Sequence, residues 1–355
     1  MSKEIGGDFN ISLNALNIQE NRFNRYFKTA DKFQMLVDSG RTALYVILQD
    51  IMDKISKKPL VYVPNYLCDS VVEPIRQLGL EIRYYNVIEN KKFNAPLITE
   101  LRDHSVVLRI SYFGDPKLPK IEVRNREKIF VIDDMFHNPY LMINTNFNSN
   151  YIIASLRKYF PISDGGIVIS DSPLTNVTLS PITHWSEIKI SGMILKNVYL
   201  NNPNPGLKAK FLSLLRNSEQ ILDTKTIGKN AISKFSSIML NSLDYDEIKM
   251  KRINNYRQLE EGLVNIDIQS PISDLADQFV PLGFPILTNR RDEVKLKLIE
   301  QGIYPPIHWE LENIIPHEHI ESHLISSEII TLPIDQRYGN EDIQRIIKVL
   351  QEIFH

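Results

Sequence analysis

The stretch that decides the fold is FVIDDMFHNPY (residues 130–140) followed, ten residues later, by YIIASLRKYFPISDGGIVIS (residues 151–170). One apolar run ends in the acidic pair Asp133-Asp134, a second ends just before Lys158, and a Gly-Gly turn leads into a third. Ligands of open α/β sheets gather at the carboxyl ends of the strands. If the apolar runs are neighbouring parallel strands, Asp134 and Lys158 face one ligand site.

An aspartate and a lysine that face one site suit pyridoxal 5'-phosphate (PLP). The lysine amine bonds to the aldehyde of the cofactor, and the aspartate keeps the pyridine nitrogen protonated so that the ring accepts electrons from the substrate. Adjacent residues of an extended strand point to opposite sides, so we expect only one of Asp133 and Asp134 to face the site. An alternative is a nucleotide-sugar transferase that holds a metal ion with both carboxylates.

Apolar segments alternate with amphipathic ones in the first half of the chain, which predicts an α/β fold with a mostly parallel sheet covered on both faces. Helical patterns then dominate over residues 207–223, 231–243 and 245–263. The C-terminal part alternates short strands and helices, as in a smaller α+β domain. We expect an N-terminal arm, a large cofactor-binding domain and a small C-terminal domain, with bounds at 1–30, 31–245 and 246–355.

Composition excludes several classes of protein. The 355 residues are 43% hydrophobic, enough for a full core, and the net charge of -2 with scattered basic residues gives no reason to expect nucleic acid as a partner. Cys68 is the single cysteine, so no intrachain disulfide forms and a reducing compartment is expected. Neither a signal-peptide pattern nor an apolar segment of membrane-spanning length is present. We therefore expect a soluble, cytoplasmic protein without a membrane partner.

The motif SGRTAL (residues 39–44) opens a helix directly after an apolar segment. The free backbone N–H groups of Ser39, Gly40 and Arg41, together with the positive end of the helix dipole, form a site for an anion such as the PLP phosphate. An ordinary serine N-cap followed by a glycine turn explains the same residues.

Ser155 and Lys158 lie three residues apart, so the hydroxyl can contact the cofactor phosphate while the amine reaches the aldehyde. Apolar and aromatic neighbours lower the pKa of such a lysine. A solvated surface lysine followed by a plain hairpin turn is the alternative. His137, three residues after Asp134, is in reach of the phenolic oxygen of PLP, although a buried structural histidine is the commoner fate of a lone His.

Three histidines, His317, His319 and His323, are the only candidates for a metal site besides the acidic pair. Their pattern is not HExxH, because Ile320 stands at the glutamate position, and no cysteine is nearby. We expect no bound metal.

With these motifs in place, the chain resembles a divergent branch of the DegT/StrS family of sugar aminotransferases, which are PLP enzymes of fold type I. The resemblance is one of motif order from Ser39 to Tyr338. The matching segments are SGRTAL for the Ser-Gly-Thr phosphate turn, Val63-Pro64 for a strand end, SYFG (residues 111–114) for His-x-x-Gly, DDMFH (133–137) for Glu-Asp-Ala-Ala-His/Gln and SLRKYFPISDGG (155–166) for the lysine segment.

The resemblance implies a role for each matched residue. Lys158 bonds covalently to the cofactor and acts as the general base, and Asp134 holds the pyridine nitrogen. His137 lies beside the O3′ oxygen, and Ser155 binds the phosphate with the Ser39 turn.

The sequence departs from the family at four places. The serine and the lysine are three residues apart instead of five, and no Gly-Tyr-Asn segment that reaches the phosphate of a partner subunit is found. Cys68 stands where an aromatic residue usually stacks on the pyridine ring, and Tyr66 is the candidate substitute. Arg41 occupies the threonine position of the phosphate turn.

The implied reaction is amino transfer from an amino acid, with glutamate the expected donor, to a keto-sugar attached to a nucleotide, in surface-polysaccharide or amino-sugar biosynthesis. Candidate substrate residues are His308, Trp309 and Arg337, for which interdomain packing is the alternative role. A homodimer in which both subunits complete each site is expected. Arg41 and Cys68 also fit a catalytically silent PLP-fold binding module, and a PLP lyase or dehydratase requires no change at Lys158.

Overall fold

The computed structural model of the chain describes residues 3–12, 21–29, 32–123, 125–143, 148–181, 184–272 and 278–354. Its strands longer than two residues are β1 (Phe33–Val37), β2 (Val61–Pro64), β3 (Ile82–Tyr85), β4 (Val106–Ile110), β5 (Phe130–Asp134), β6 (Tyr151–Ser155), β7 (Gly166–Ser170), β8 (Phe284–Leu287) and β9 (Ile329–Leu332).

The described α-helices are α1 (Arg22–Tyr26), α2 (Gly40–Ile55), α3 (Asp69–Gln77), α4 (Trp185–Asn201), α5 (Pro205–Thr224), α6 (Lys234–Leu240), α7 (Tyr245–Gly262), α8 (Arg291–Glu300), α9 (Ile320–Glu328) and α10 (Asn340–Phe354). None of them is long and apolar enough to cross a lipid bilayer.

The central sheet has the strand order β1-β7-β6-β5-β4-β2-β3. Strand β7 runs antiparallel to both of its neighbours, and the other neighbouring strands pair in parallel. Every residue of β4, β6 and β7 is buried, as expected for strands covered on both faces. The predicted α/β fold with a mostly parallel sheet is confirmed.

Two hydrophobic cores lie on opposite faces of this sheet, because successive residues of one strand enter different cores. In β6, Tyr151 and Ile153 pack into the core that contains α2 and α3. The intervening Ile152 and Ala154 pack into the core that contains residues of α4, α5 and α7. This alternation is the ordinary consequence of the pleat. It fixes which side chains at the strand ends can face the same ligand.

A third core belongs to the C-terminal part of the chain. The antiparallel pair β8 and β9 packs with α7, α8 and α10, and Ile5 enters the same core, because Ile5–Gly6 pairs in parallel with Ile303–Tyr304. The described start of the N-terminal segment therefore lies on the C-terminal part. The division at residues 30 and 245 stays a prediction.

Helix α4 was not predicted from the sequence. Its pattern is obscured because Lys189 and Lys196 are buried, and each finds a partner far away in the chain. The helix packs closely on α5 through Gly192, where an added methyl group would lie 2.9 Å from the Leu215 side chain. The sequence pattern therefore lacks the apolar stripe that normally reveals such a helix.

Candidate active site

The carboxyl ends of the central strands, the first turn of α2 and the C-terminal part surround a cavity of about 820 Å³. Most of the predicted site residues line this cavity, namely Ser39, Gly40, Arg41, Cys68, Asp134, Ser155, Lys158, His308, Trp309 and Arg337. Tyr66 and His137 do not line it. The structure thus brings residues from four separate motifs and the C-terminal part to one place.

Asp134 lies at the last position of β5, opposite Ile153 in the neighbouring parallel strand β6. In the described structure its carboxylate accepts one hydrogen bond, from the backbone N–H of Phe136 at 3.1 Å. Burial raises the pKa of Asp134 to about 7, and this hydrogen bond and the positive charge of Lys158 oppose that shift. The carboxyl group is therefore close to half protonated near neutral pH.

Lys158 ends the short 3₁₀ turn Leu156–Lys158 that follows β6. Within the described residues its amine makes no hydrogen bond or ion pair, and it lies over the ring of Phe136, 5.3 Å from the centroid. The side chain is exposed to the cavity, but the surrounding protein excludes enough water that burial lowers the pKa of Lys158. A cavity-facing amine with a lowered pKa is suited to nucleophilic chemistry.

Asp133, unlike Asp134, forms an ion pair inside the protein. Its carboxylate receives two hydrogen bonds from the Arg109 guanidinium, at 2.7 and 2.8 Å, and the carboxylate is fully buried. The alternation of the strand directs the two carboxylates to opposite sides, as expected. The alternative in which both carboxylates hold one metal ion is therefore wrong, because Arg109 already neutralises Asp133.

No described group of three or more His, Cys, Asp or Glu side chains is arranged to hold a metal ion. The rings of His317 and His323 stack with centroids 5.3 Å apart, and Nε2 of His323 lies 3.2 Å from the Ile315 carbonyl oxygen.

The first turn of α2 approaches Ser155 very closely. Ser39 caps the helix by accepting the backbone N–H of Thr42 at 3.2 Å. A methyl group added at Gly40 would lie 3.1 Å from Cβ of Ser155, and one added at Gly166 would lie 2.4 Å from the carbonyl oxygen of Ser39. Only glycine fits at Gly166, and at Gly40 any larger residue would press on Ser155. The turn therefore presents bare backbone N–H groups beside the Ser155 side chain.

Arg41 lines the cavity, but its guanidinium is already engaged. It pairs with Glu73 at 2.8 Å and with Asp223 at 2.5 Å. These contacts link the first turn of α2 to α3 and α5. The arginine therefore braces the turn and keeps much of its charge directed away from the anion site.

Tyr66 does not replace the missing aromatic residue at position 68. Its ring is fully buried, and its hydroxyl donates to the carbonyl oxygen of His308 at 2.6 Å and accepts the N–H of Trp309 at 3.1 Å. The expectation that Tyr66 contacts the cofactor is corrected. The residue fixes the backbone of His308 and Trp309 from the side that faces away from the cavity.

The expectation that His137 faces the cavity is also corrected. Its Nδ1 accepts the backbone N–H of Phe113 at 2.7 Å, and its ring stacks on Trp309 with centroids 5.4 Å apart. Nε2 is enclosed and has no hydrogen-bond partner among the described residues. Burial, with the nearby His308 and Lys158, lowers the pKa of His137 well below its usual range, so the ring is neutral.

His308 and Trp309 form a wall of the cavity. Nδ1 of His308 lies 2.9 Å from the Thr331 hydroxyl, and burial beside Lys158 lowers the pKa of His308 to about 3. The neutral imidazole therefore offers a hydrogen-bonding edge without a charge. Trp309 packs on Phe136 with ring centroids 5.8 Å apart.

Arg337 is not a free cation for a substrate carboxylate. Its guanidinium makes two hydrogen bonds of 2.8 Å to the Asp335 carboxylate, and it donates to the carbonyl oxygens of Asp8 and Gly7. Phe9 lies under the guanidinium at 4.6 Å. The residue ties the N-terminal segment to the C-terminal part of the chain.

Two features of the cavity were not predicted from the sequence. One is a charged side wall in which Glu219 binds Arg157 and Lys189, and Lys189 also lies 3.5 Å from Asp8. No local pattern reveals it, because its members are far apart in the chain. The other is Phe136. Residues two apart in an extended segment share a face, so Phe136 is indicated on the same side as Asp134.

Among solved structures, this chain is similar to aminotransferases. PseC of Helicobacter pylori, an aminotransferase involved in the biosynthesis of pseudoaminic acid, matches with a TM-score of 0.63 at 12% identity over 99% of both chains. A DegT DnrJ EryC1 StrS aminotransferase from Brucella abortus matches with a TM-score of 0.57 at 14% identity, over 94% of this chain and 89% of the other.

A proposed sugar aminotransferase of Streptococcus pneumoniae, Spr1654 in its PLP form, gives a TM-score of 0.60 at 13% identity, over 99% of this chain and 94% of that one. The chain has the fold of these aminotransferases. The fold type expected from the resemblance is therefore confirmed. Neither protein-family models nor curated protein sequences give a match.

Proposed function

We propose that the protein is a PLP-dependent aminotransferase that transfers an amino group from an amino acid to a keto-sugar. The observation that carries the proposal is that the Lys158 amine and the Asp134 carboxylate line one cavity at the ends of neighbouring strands. Within the described structure, neither group has an ion-pair partner. The likeness in fold to sugar aminotransferases supports the same assignment.

The residues present fit the cofactor. The bare first turn of α2, with Gly40 pressed against Ser155, suits a phosphate group at the helix N-terminus. The open Asp134 carboxylate suits the ring nitrogen, and the Lys158 amine suits the aldehyde. When bound, PLP supplies an electron-accepting ring that takes up the electrons of the bond broken at the substrate Cα.

Asp134 would hold the protonated nitrogen of the ring. A carboxyl group with a pKa near 7 carries only a partial charge in the free protein. A bound cation favours the ionised carboxylate and lowers this pKa. Cofactor binding and ionisation of Asp134 therefore strengthen each other.

Lys158 would accept the proton from Cα of the amino-acid donor and deliver it to the cofactor side of the site. An ordinary lysine is almost fully protonated at neutral pH, whereas burial increases the neutral fraction of this one. The neutral amine is the form that removes a proton. His308 faces the same cavity as a neutral imidazole, so it can hydrogen-bond a sugar hydroxyl without repelling Lys158.

We further propose glutamate as the donor, a nucleotide-linked keto-sugar as the acceptor, and amino-sugar or surface-polysaccharide biosynthesis as the setting. A cavity of about 820 Å³ is larger than an amino acid requires, which supports a bulky second substrate. A homodimer in which both subunits complete each site is part of the proposal, as the resemblance implies. The cytoplasm stays the expected compartment.

A spectroscopic titration tests the proposal. Protein saturated with PLP should show the absorption of a lysine-bound cofactor, lose that band on addition of glutamate and recover it on addition of a nucleotide-linked keto-sugar. Recovery without an amino-sugar product, with release of ammonia or water instead, would favour a lyase or dehydratase. Binding of PLP without any response to amino acids would favour the silent binding module.

A further inference from the structure

We propose that the ring of Phe136 stacks on the pyridine ring of the cofactor and so supplies the aromatic contact that position 68 lacks. This inference rests on the proposed function, because it concerns how the chain holds PLP. It assigns a positioning role to a residue whose backbone and side chain contact the two groups that flank the ring.

Position 68 offers no ring for stacking. Cys68 lines the cavity at the N-terminus of α3, and its Sγ lies 2.8 Å from the Ser70 hydroxyl. Tyr66, the nearest aromatic residue in the sequence, lies behind the wall and is engaged with the backbone of residues 308–309. A cofactor bound here therefore needs another flat apolar surface.

Phe136 contacts both Asp134 and Lys158. Its backbone N–H binds the Asp134 carboxylate at 3.1 Å, and the Lys158 amine lies over its ring, 5.3 Å from the centroid. PLP bonded to Lys158 and held by Asp134 must extend between these two side chains. The pyridine ring would begin at the Lys158 amine, which lies above the Phe136 ring, and end at the Asp134 carboxylate. It would therefore cover the face of the Phe136 ring.

The surroundings fix the orientation of this phenyl ring. Phe136 is 5% exposed, and its ring centroid lies 3.6 Å from that of His137 and 5.8 Å from that of Trp309. A ring held in place before binding loses little rotational freedom when the cofactor arrives. Stacked aromatic pairs of this kind tighten binding by about three- to tenfold beyond the burial of area.

The test measures the dissociation constant of PLP by absorbance titration of purified apoprotein, with thermal unfolding of the same samples. Phe136→Leu removes the ring, Phe136→Met keeps more of the length of the side chain without a ring, and Phe136→Tyr keeps the ring. Phe130→Leu, at the first position of β5, is the control for loss of a phenyl group that packs in the same core but does not line the cavity.

We expect both non-aromatic variants to weaken PLP binding about three- to tenfold, and the Tyr and control variants to bind like the wild type. Adding Cys68→Tyr to Phe136→Met should recover part of the lost affinity, which a purely structural role of Phe136 does not predict.

Equal affinity of wild type and Phe136→Met would overturn the inference, as would equal weakening by Met and Tyr. Should Phe136→Leu fail to fold, the Met and Tyr variants still decide the matter. Wild-type protein that binds no PLP would instead refute the proposed function itself, so the two failures are distinguishable.

Discussion

The floor of the cavity and its side wall differ in whether their charged side chains have ion-pair partners. The floor is formed by Asp134 and Lys158, which have no ion-pair partner within the described residues. The side wall contains charges that neutralise one another, because Glu219 binds Arg157 and Lys189. Two further groups of cavity residues do the same, namely Arg337 with Asp335 and Arg41 with Glu73 and Asp223. Buried charges without internal partners are costly. The comparison therefore suggests that a bound molecule completes the floor, whereas the side wall is complete by itself.

The largest effect is expected at the floor. Lys158→Ala should lower turnover at saturating PLP by about a thousandfold or more, because the general base and the covalent attachment are both lost. Lys128→Ala, which removes a lysine paired with Asp103 on the surface, is the matched control and should retain full turnover. Steady-state kinetics with glutamate and the keto-sugar provide the measurement. If the Lys158→Ala enzyme kept a tenth of normal turnover, Lys158 would not be the general base, and the floor would not be more important for catalysis than the side wall.

The adjacent carboxylates provide the sharpest comparison within one strand. Asp134→Asn should lower turnover about a hundredfold and leave the fold stable, because an amide holds a protonated ring nitrogen poorly. Asp133→Asn breaks a buried ion pair with Arg109 and should lower the free energy of unfolding by about 3–5 kcal/mol. Urea unfolding and turnover, measured on both variants, separate the two roles. The reverse assignment of effects would show that the strand presents Asp133 to the ligand.

The pH dependence of stability tests the charge state of Asp134 in the apoprotein. Its pKa rises from 3.8 to about 7 on folding, so the native state keeps a proton that the unfolded chain releases between these values. Stability should therefore fall as pH rises through this window, by up to roughly 1.4 kcal/mol per pH unit from this group. Asp134→Asn removes that contribution. Urea unfolding of both proteins at several pH values from about 4 to about 8 provides the test, and identical pH profiles would refute the raised pKa.

The smallest effect is expected at the ion pair of Arg337 with Asp335. Arg337→Ala removes the guanidinium donors to Asp335 and to the carbonyl oxygens of Gly7 and Asp8, although Asp335 keeps the backbone N–H of residue 337 and Asp8 keeps Lys196. The substitution should lower the free energy of unfolding by about 1–3 kcal/mol. The KM for the amino donor should change less than about tenfold. A rise in this KM of a hundredfold or more, with unchanged stability, would instead place Arg337 in contact with the substrate carboxylate.

The sequence was most informative where one local rule determines the structure. Strand alternation separates Asp133 from Asp134, the glycine at position 40 marks a close approach, and the strand ends bring Lys158 to the same edge of the sheet. The same alternation also indicates Phe136, two residues after Asp134.

Local rules fail where burial depends on distant parts of the chain. The sequence does not show that Tyr66 and His137 lie behind the wall, because residues around positions 308 and 309 fill the space in front of them. It also does not reveal α4, whose buried Lys189 finds its partner Glu219 thirty residues further along the chain.

The proposed function depends most on Lys158 being the amine that bonds to the cofactor. Borohydride reduction of the PLP-saturated protein, followed by proteolysis and mass spectrometry, tests it directly. We expect one phosphopyridoxyl group, located on Lys158 and missing in the Lys158→Ala variant. A label on another lysine, or an unlabelled protein that binds PLP reversibly, would contradict it.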